Sequence, residues 1–125
     1  MNKALGLIEA VGFTTAVAAL DAASKAADVT LIGVEKIIGV ETTVGVNLQL
    51  AGEVAAVKAA VDAGVEAGNK VGVIAASRVI PRPHDEVDKL IEKFSKNLKE
   101  KEESKENKEV KEETKKNKKK SDKEE

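Results

Sequence analysis

His84 and Asp85 stand side by side after Pro83, and a histidine beside a carboxylate is the pairing that general-base chemistry uses. His84 is the only histidine in the chain, so a histidine-rich metal site within one subunit is excluded. The same two residues open a predicted helix, where aspartate is an ordinary N-cap, and capping is the expected role of Asp85. Glu9 lies on a strand otherwise made of small apolar residues. It is either a functional carboxylate or a group paired with a lysine or backbone group at an interface, and the interface role is favoured. Ser24 and Ser77 have no base near them in sequence, and no Gly-x-Ser-x-Gly turn exists to present a nucleophile. Gly33, Gly39, Gly45, Gly52 and Gly64 form neither a P-loop nor a dinucleotide fingerprint. The chain has no cysteine, which removes thiolate catalysis, thiolate metal ligands and disulfides. No catalytic residue, metal ligand or cofactor is assigned, and the chain is not expected to be an enzyme.

The group that remains is a cation. In Ile80-Pro81-Arg82-Pro83 an arginine is held between two prolines where a strand-like run ends. Each proline fixes its own φ near −65° and donates no backbone hydrogen bond, and Pro83 also forces Arg82 into an extended conformation. The result is a stiff post carrying a planar five-donor fork, a group enriched at the hot spots of protein interfaces. On local sequence the post is equally an exposed turn. Lys25, in Ala-Ser-Lys-Ala-Ala near a helix end, reads locally as a complement to the helix dipole.

The elements that position these groups follow from periodicity. Ala4 to Val11 reads as a strand ended by Gly12, and Thr14 to Ala27 as an alanine-rich helix on which Val17, Leu20, Ser24 and Ala27 share one face. Val29 to Ile38 is a second strand. Val44 to Leu50 alternates in period two as a third, with a tight connection around Glu41-Thr42-Thr43 that makes the pair a hairpin. A second helix runs from Glu53 to about Lys70 with an apolar stripe of Val54, Val57, Val61, Val65 and Gly68. Val73 to Ile80 is a fourth strand, and Val87, Leu90, Ile91 and Phe94 mark a short third helix. The order β-α-β-β-α-β is the split, ferredoxin-like α+β arrangement. Two helices on one face leave the other face of the sheet to the third helix or to a neighbouring subunit.

Composition divides the chain at its C-terminal end. Lys99 to Glu125 holds 11 lysines and 10 acidic residues, with Val110 as its only large apolar side chain. Residues 1–96 are therefore expected to form one domain and residues 97–125 a disordered Lys/Glu-rich tail, capable at most of a transient solvated helix. Subtracting the tail from totals of 21 basic and 22 acidic residues leaves 10 and 12. Neither part is basic enough for nucleic-acid binding, and aromatic stacking platforms are missing. With Phe13 and Phe94 the only aromatic residues, the core must be built from small aliphatics, which brings backbones close and leaves little tolerance for added volume. No apolar run reaches the ~20 residues of a membrane span, and no signal peptide is evident. A soluble, cytoplasmic protein is expected.

Ala4-Leu5-Gly6-Leu7-Ile8-Glu9, Lys25-Ala26-Ala27-Asp28-Val29, Gly33-Val34-Glu35-Lys36-Ile37, Gly52-Glu53-Val54-Ala55-Ala56-Val57-Lys58-Ala59-Ala60, Asp62-Ala63-Gly64 and Val79-Ile80-Pro81-Arg82-Pro83-His84 together resemble the single-domain, BMC-domain shell proteins of bacterial microcompartments. The resemblance runs from about Met1 to Ile91, in order and nearly without gaps. It implies a homohexameric disc that tiles with other shell proteins into facets around encapsulated enzymes, in the cytoplasm, with a pore on the sixfold axis that passes small metabolites. Carried over by position, Lys25 resembles the edge lysine that lies antiparallel to its counterpart in the next disc, and Arg82 the edge arginine that docks on that disc's backbone carbonyls. One departure concerns the pore. Family members commonly follow Glu-Lys-Ile with Gly-Ser-Gly, whereas here Ile38-Gly39-Val40-Glu41-Thr42-Thr43 follows, and the segment to Gly52 is about four residues longer. Ile38, Gly39, Val40 and Glu41 are the pore-lining candidates. A small ferredoxin-like ligand-binding or regulatory module, acting as a dimer or trimer, is the alternative reading.

Overall fold

Burial alternates along Ala4–Val11, and the strand it forms, β1, is the centre of the architecture. The computed structural model describes residues 3–40 and 43–123, without the side chains of residues 40, 94 and 96–105. After β1 come α1 (Phe13–Ala26), β2 (Thr30–Val40), β3 (Thr43–Gly52), α2 (Val54–Val71), β4 (Ile74–Ile80) and α3 (Asp85–Ser121). The predicted β-α-β-β-α-β order therefore holds. All three ladders are antiparallel, and the strand order β2-β3-β1-β4 sets β3 between the two strands that α1 connects.

One face of the sheet carries the main core. Ala4, Ile8 and Ala10 of β1 and Val46, Leu48 and Leu50 of β3 pack with Ala16, Ala19 and Ala23 of α1 and Val57, Ala60 and Val61 of α2. The two helices meet through their smallest residues. A Cβ added at Gly64 would lie 2.9 Å from the Ala19 carbonyl oxygen and 3.4 Å from the Ala23 Cβ. This corrects the predicted face of α1. The helix buries Thr15, Ala16, Ala19 and Ala23, whereas Val17, on the face read from the sequence, is 46% exposed. Close helix contact requires alanine at the seam, so Val17 is turned outward while Leu20 packs at the margin of the core. The stripe of α2 shifts for the same reason, to Val57, Ala60, Val61, Gly64 and Gly68, leaving Val54 at the margin.

On the opposite face Leu5 and Ala51 are also buried, and so are Pro83 and Ile91 at the start of α3. Further along that face Leu7, Glu9, Glu35 and Asn47 are half-buried and Gln49 is buried.

The chain falls into two compact units, Met1–Ser95 and Lys96–Glu125. Helix α3 is longer than the sequence predicts and continues through the tail expected to be disordered. Lysine and glutamate are strong helix formers, and the helix is the solvated form that their alternation allows. From Glu106 to Lys123 every residue is exposed, so this segment has no packed core to hold it. Among the described residues no helix is long and apolar enough to cross a membrane.

Candidate assembly surfaces

His84 is a cap. Its Nδ1 accepts a hydrogen bond from the backbone N–H of Glu86 at 3.1 Å, and its carbonyl accepts from Val87 N at 2.9 Å. The capping side chain is thus the imidazole, one residue before the Asp85 predicted for the role, because Asp85 is already the first helical residue. An Nδ1 that accepts the cap bond is not offered as a base to a substrate. Ser24 and Ser77 are both exposed. Among the described residues no group of three His, Cys, Asp or Glu side chains could hold a metal ion.

The two cations singled out by sequence stand at one end of the sheet. At the proline-clamped post, Pro81 and Arg82 are exposed while Pro83 is buried. One proline therefore anchors the segment and the other keeps the guanidinium outward. Arg82 borders an open groove of about 660 Å³ lined also by Lys3, Ala4, Gly52, Glu53, Val54 and Pro81. Lys25 lies in the last turn of α1, where its Nζ meets Asp21 Oδ2 at 2.8 Å with both side chains largely in solvent. An exposed i,i+4 pair of this kind is weak, so Lys25 exchanges partners at little cost. The loop that follows α1 reaches the groove. A Cβ added at Gly52 would sit 3.1 Å from the carbonyl oxygen of Asp28, three residues beyond Lys25.

The pore candidates lie at the other end. In the β1–β3 register Ala4 faces Gly52 at the Arg82 end and Val11 faces Gly45 at the far end. The β2–β3 hairpin continues past that point to a last pair, Val40 and Thr43. From Gly52 to Thr43 the strand covers about 30 Å at ~3.3 Å per residue. Ile38 pairs with Val44 and is 90% exposed. Gly39 has no partner in the ladder and takes φ +94, a glycine bulge of the kind that strengthens local twist. Nothing lies within 4 Å of a Cβ built on Gly39, so glycine is required there by conformation and not by crowding within the subunit. Glu41 falls outside the described residues.

Sequence reasoning missed an apolar surface at this same end. Phe13 is 68% exposed, Val17 46%, Val44 44% and Val73 47%. Backbone hydrogen bonds from Gly12 N to Val44 O and from Val11 N to Val73 O, each 2.9 Å, tie their segments together. The signal was available: one of only two aromatic residues begins a helix whose other face is alanine.

The model of the BMC domain matches residues 4–83. The chain is 48% identical over 92 residues to the bacterial microcompartment shell protein PduA of Salmonella typhimurium, covering 74% of this chain and 94% of that one. It is 43% identical over 88 residues to the shell protein EutM of Escherichia coli, covering 70% of this chain and 87% of EutM. It is 47% identical over 89 residues to the carboxysome shell protein CsoS1 of Prochlorococcus marinus, covering 70% of this chain and 82% of CsoS1. Among solved structures, a microcompartment protein from Desulfitobacterium hafniense superposes with a TM-score of 0.63 at 32% identity. That match covers 71% of this chain, which spans about half, 48%, of the other. This kinship favours a structural shell component over an enzyme or a small regulatory module, and it locates the protein in the shell of a cytoplasmic microcompartment. The chain belongs to the BMC-domain family of bacterial microcompartment shell proteins.

Proposed function

We propose that six copies form a flat ring, with the hairpin ends of the sheets at the sixfold axis and the Lys25–Arg82 ends at the rim. Residues 1–96 are the shell domain and residues 97–125 an appended tail. The observation that carries the reading is the placement of the two candidate sets at opposite ends of one sheet, which is what a tile with a central opening and a sticky edge requires. The exposed apolar surface around Phe13, Val17 and Val44 supplies the burial that holds neighbouring subunits around the axis.

At the rim, Arg82 docks onto backbone carbonyls of the next disc and Lys25 lies beside its counterpart. Symmetry repeats each weak contact six times, so modest edges suffice for an extended sheet. Ile38, Gly39, Val40 and Glu41 line the axial opening, through which small metabolites pass between the cytoplasm and the enclosed enzymes. Were Glu41 to face the axis, six carboxylates would cluster there and disfavour anions; were it turned away, apolar groups and glycine backbone would line the opening. Arg82→Ala leaves hexamers intact in native mass spectrometry and abolishes extended sheets in electron microscopy. Unaltered sheets in that variant would refute the rim assignment.

A further inference from the structure

The face of the sheet opposite the helices holds a polar row that the chain itself leaves incomplete. The register sets Glu35 of β2 against Asn47 of β3, and Asn47 against Glu9 of β1. Directly opposite residues on one face have Cβ atoms about 5 Å apart, so two carboxylates flank one amide. All three are half-buried, and neither carboxylate has a hydrogen-bond or ion-pair partner among the described residues.

The neighbouring row contributes the informative group. Gln49 is only 3% exposed. Its Nε2 reaches Asn47 Oδ1 at 3.5 Å, while its Oε1 is buried without any partner. The amide lies over Gly33, where any Cβ would run into Gln49 Oε1, so glycine makes the room the amide occupies. A buried acceptor left unpaired costs about 1–3 kcal/mol, and two uncompensated carboxylates beside it add repulsion. Such a site calls for a cationic, multidentate donor.

The chain carries one on the same face, at the other edge of the sheet. Arg78 lies on β4, paired with Leu7, and is exposed without an ion pair among the described residues. β2 and β4 are the two outer strands of the sheet. In a ring each subunit presents two different surfaces, one to each neighbour, and Glu35 and Arg78 lie on opposite edge strands, β2 and β4.

We propose that a second copy of this chain completes the row. Arg78 of one subunit enters the polar row of the next from its β2 edge, pairs with the Glu35 carboxylate, and donates to Gln49 Oε1. The terminal amide torsion of glutamine is broad, so a small rotation turns that oxygen toward the incoming donor. The planar fork of arginine suits a carboxylate and an amide acceptor together, whereas lysine offers a point charge. The contact rests on the ring reading above and gives it a direction, acidic side to basic side around the axis.

The test is a charge swap in the full-length protein, with subunit assembly followed by native mass spectrometry across a concentration series. Arg78→Glu and Glu35→Arg each raise the concentration needed for ring formation at least tenfold, and the double variant Glu35→Arg/Arg78→Glu recovers most of the loss. Gln49→Met weakens the ring while leaving the thermal stability of the dissociated subunit equal or higher, an outcome that a purely internal role for Gln49 does not give. Single variants that assemble like wild type, or a double variant no better than either single, overturn the proposal. So does a rise in the melting temperature of Arg78→Glu on adding Mg²⁺ or Ca²⁺ that EDTA reverses, since a metal ion then fills the row. The wild-type ring size is read in the same spectra. A ring of another size removes the hexamer reading, while rescue by the swap still decides the Arg78 contact.

Discussion

Gly64→Ala is the sharpest test of how the core is built. The substitution removes a helix-interior glycine, which by itself favours α2 by about 0.8–1 kcal/mol. The new methyl would sit 2.8 Å from Ile8 Cδ1 and 2.9 Å from the Ala19 carbonyl oxygen. The isoleucine terminus can turn away, but the carbonyl belongs to the backbone of α1 and moves only if the whole helix moves. Overpacking of that kind costs about 1–3 kcal/mol. With a rigid neighbour the upper end applies, so the net loss is about 2 kcal/mol, or roughly 8–16 °C in Tm for a domain of this size. Gly68→Ala is the matched control. It gains the same propensity but meets Ile74 Cδ1 and Cγ1, a side chain at the start of β4 that can change rotamer, and its net effect is near zero. Both variants are compared with wild type by denaturant unfolding at one protomer concentration, because the stability of an oligomer moves with concentration. A Gly64→Ala protein as stable as wild type, or a Gly68→Ala protein that is the more damaged, would refute the account of a backbone-limited helix seam.

Two further outcomes follow from exposure. Phe13→Ser leaves the isolated subunit folded, since the ring is 68% exposed there. Burying that exposed part, roughly 130 Å² of a side chain that buries 150–250 Å², is worth about 3 kcal/mol per contact at 25 cal/mol/Å², so the variant loses the ring in native mass spectrometry; a ring that persists at the wild-type concentration would remove Phe13 from the interface. Deleting Lys96–Glu125, a unit separate from the sheet domain, leaves thermal stability and ring size unchanged; a fall of more than a few degrees in Tm would show that the tail supports the fold.

The strands were legible because period-two alternation and Val/Ile content fix both their existence and their faces. The Arg82 post was legible because two prolines restrict the chain wherever they occur. The face of α1 was not. A hydrophobicity ranking sends Val17 inward ahead of Ala16 and Ala19, and it assumes that the largest apolar groups fill the core of one subunit. Here interhelix distance decides, alanine and glycine take the seam, and Phe13 and Val17 are left exposed. The His84 cap was hidden by the adjacent aspartate, a commoner capping residue. Of the polar row only Glu9 stood out in the sequence. Glu9, Glu35, Asn47 and Gln49 are scattered along the chain, and only the ladder register brings them onto one face.

That register also explains how the departure in the hairpin is tolerated. From Ala4–Gly52 to Val11–Gly45 the β1–β3 pairing runs without a shift, which fixes the end of the sheet that carries Arg82. The extra residues are absorbed beyond Val11, where β2 and β3 have only each other as partners and the unpaired Gly39 takes up the irregularity. A change in hairpin length therefore alters the Thr43 end of the sheet without displacing the end that carries Arg82.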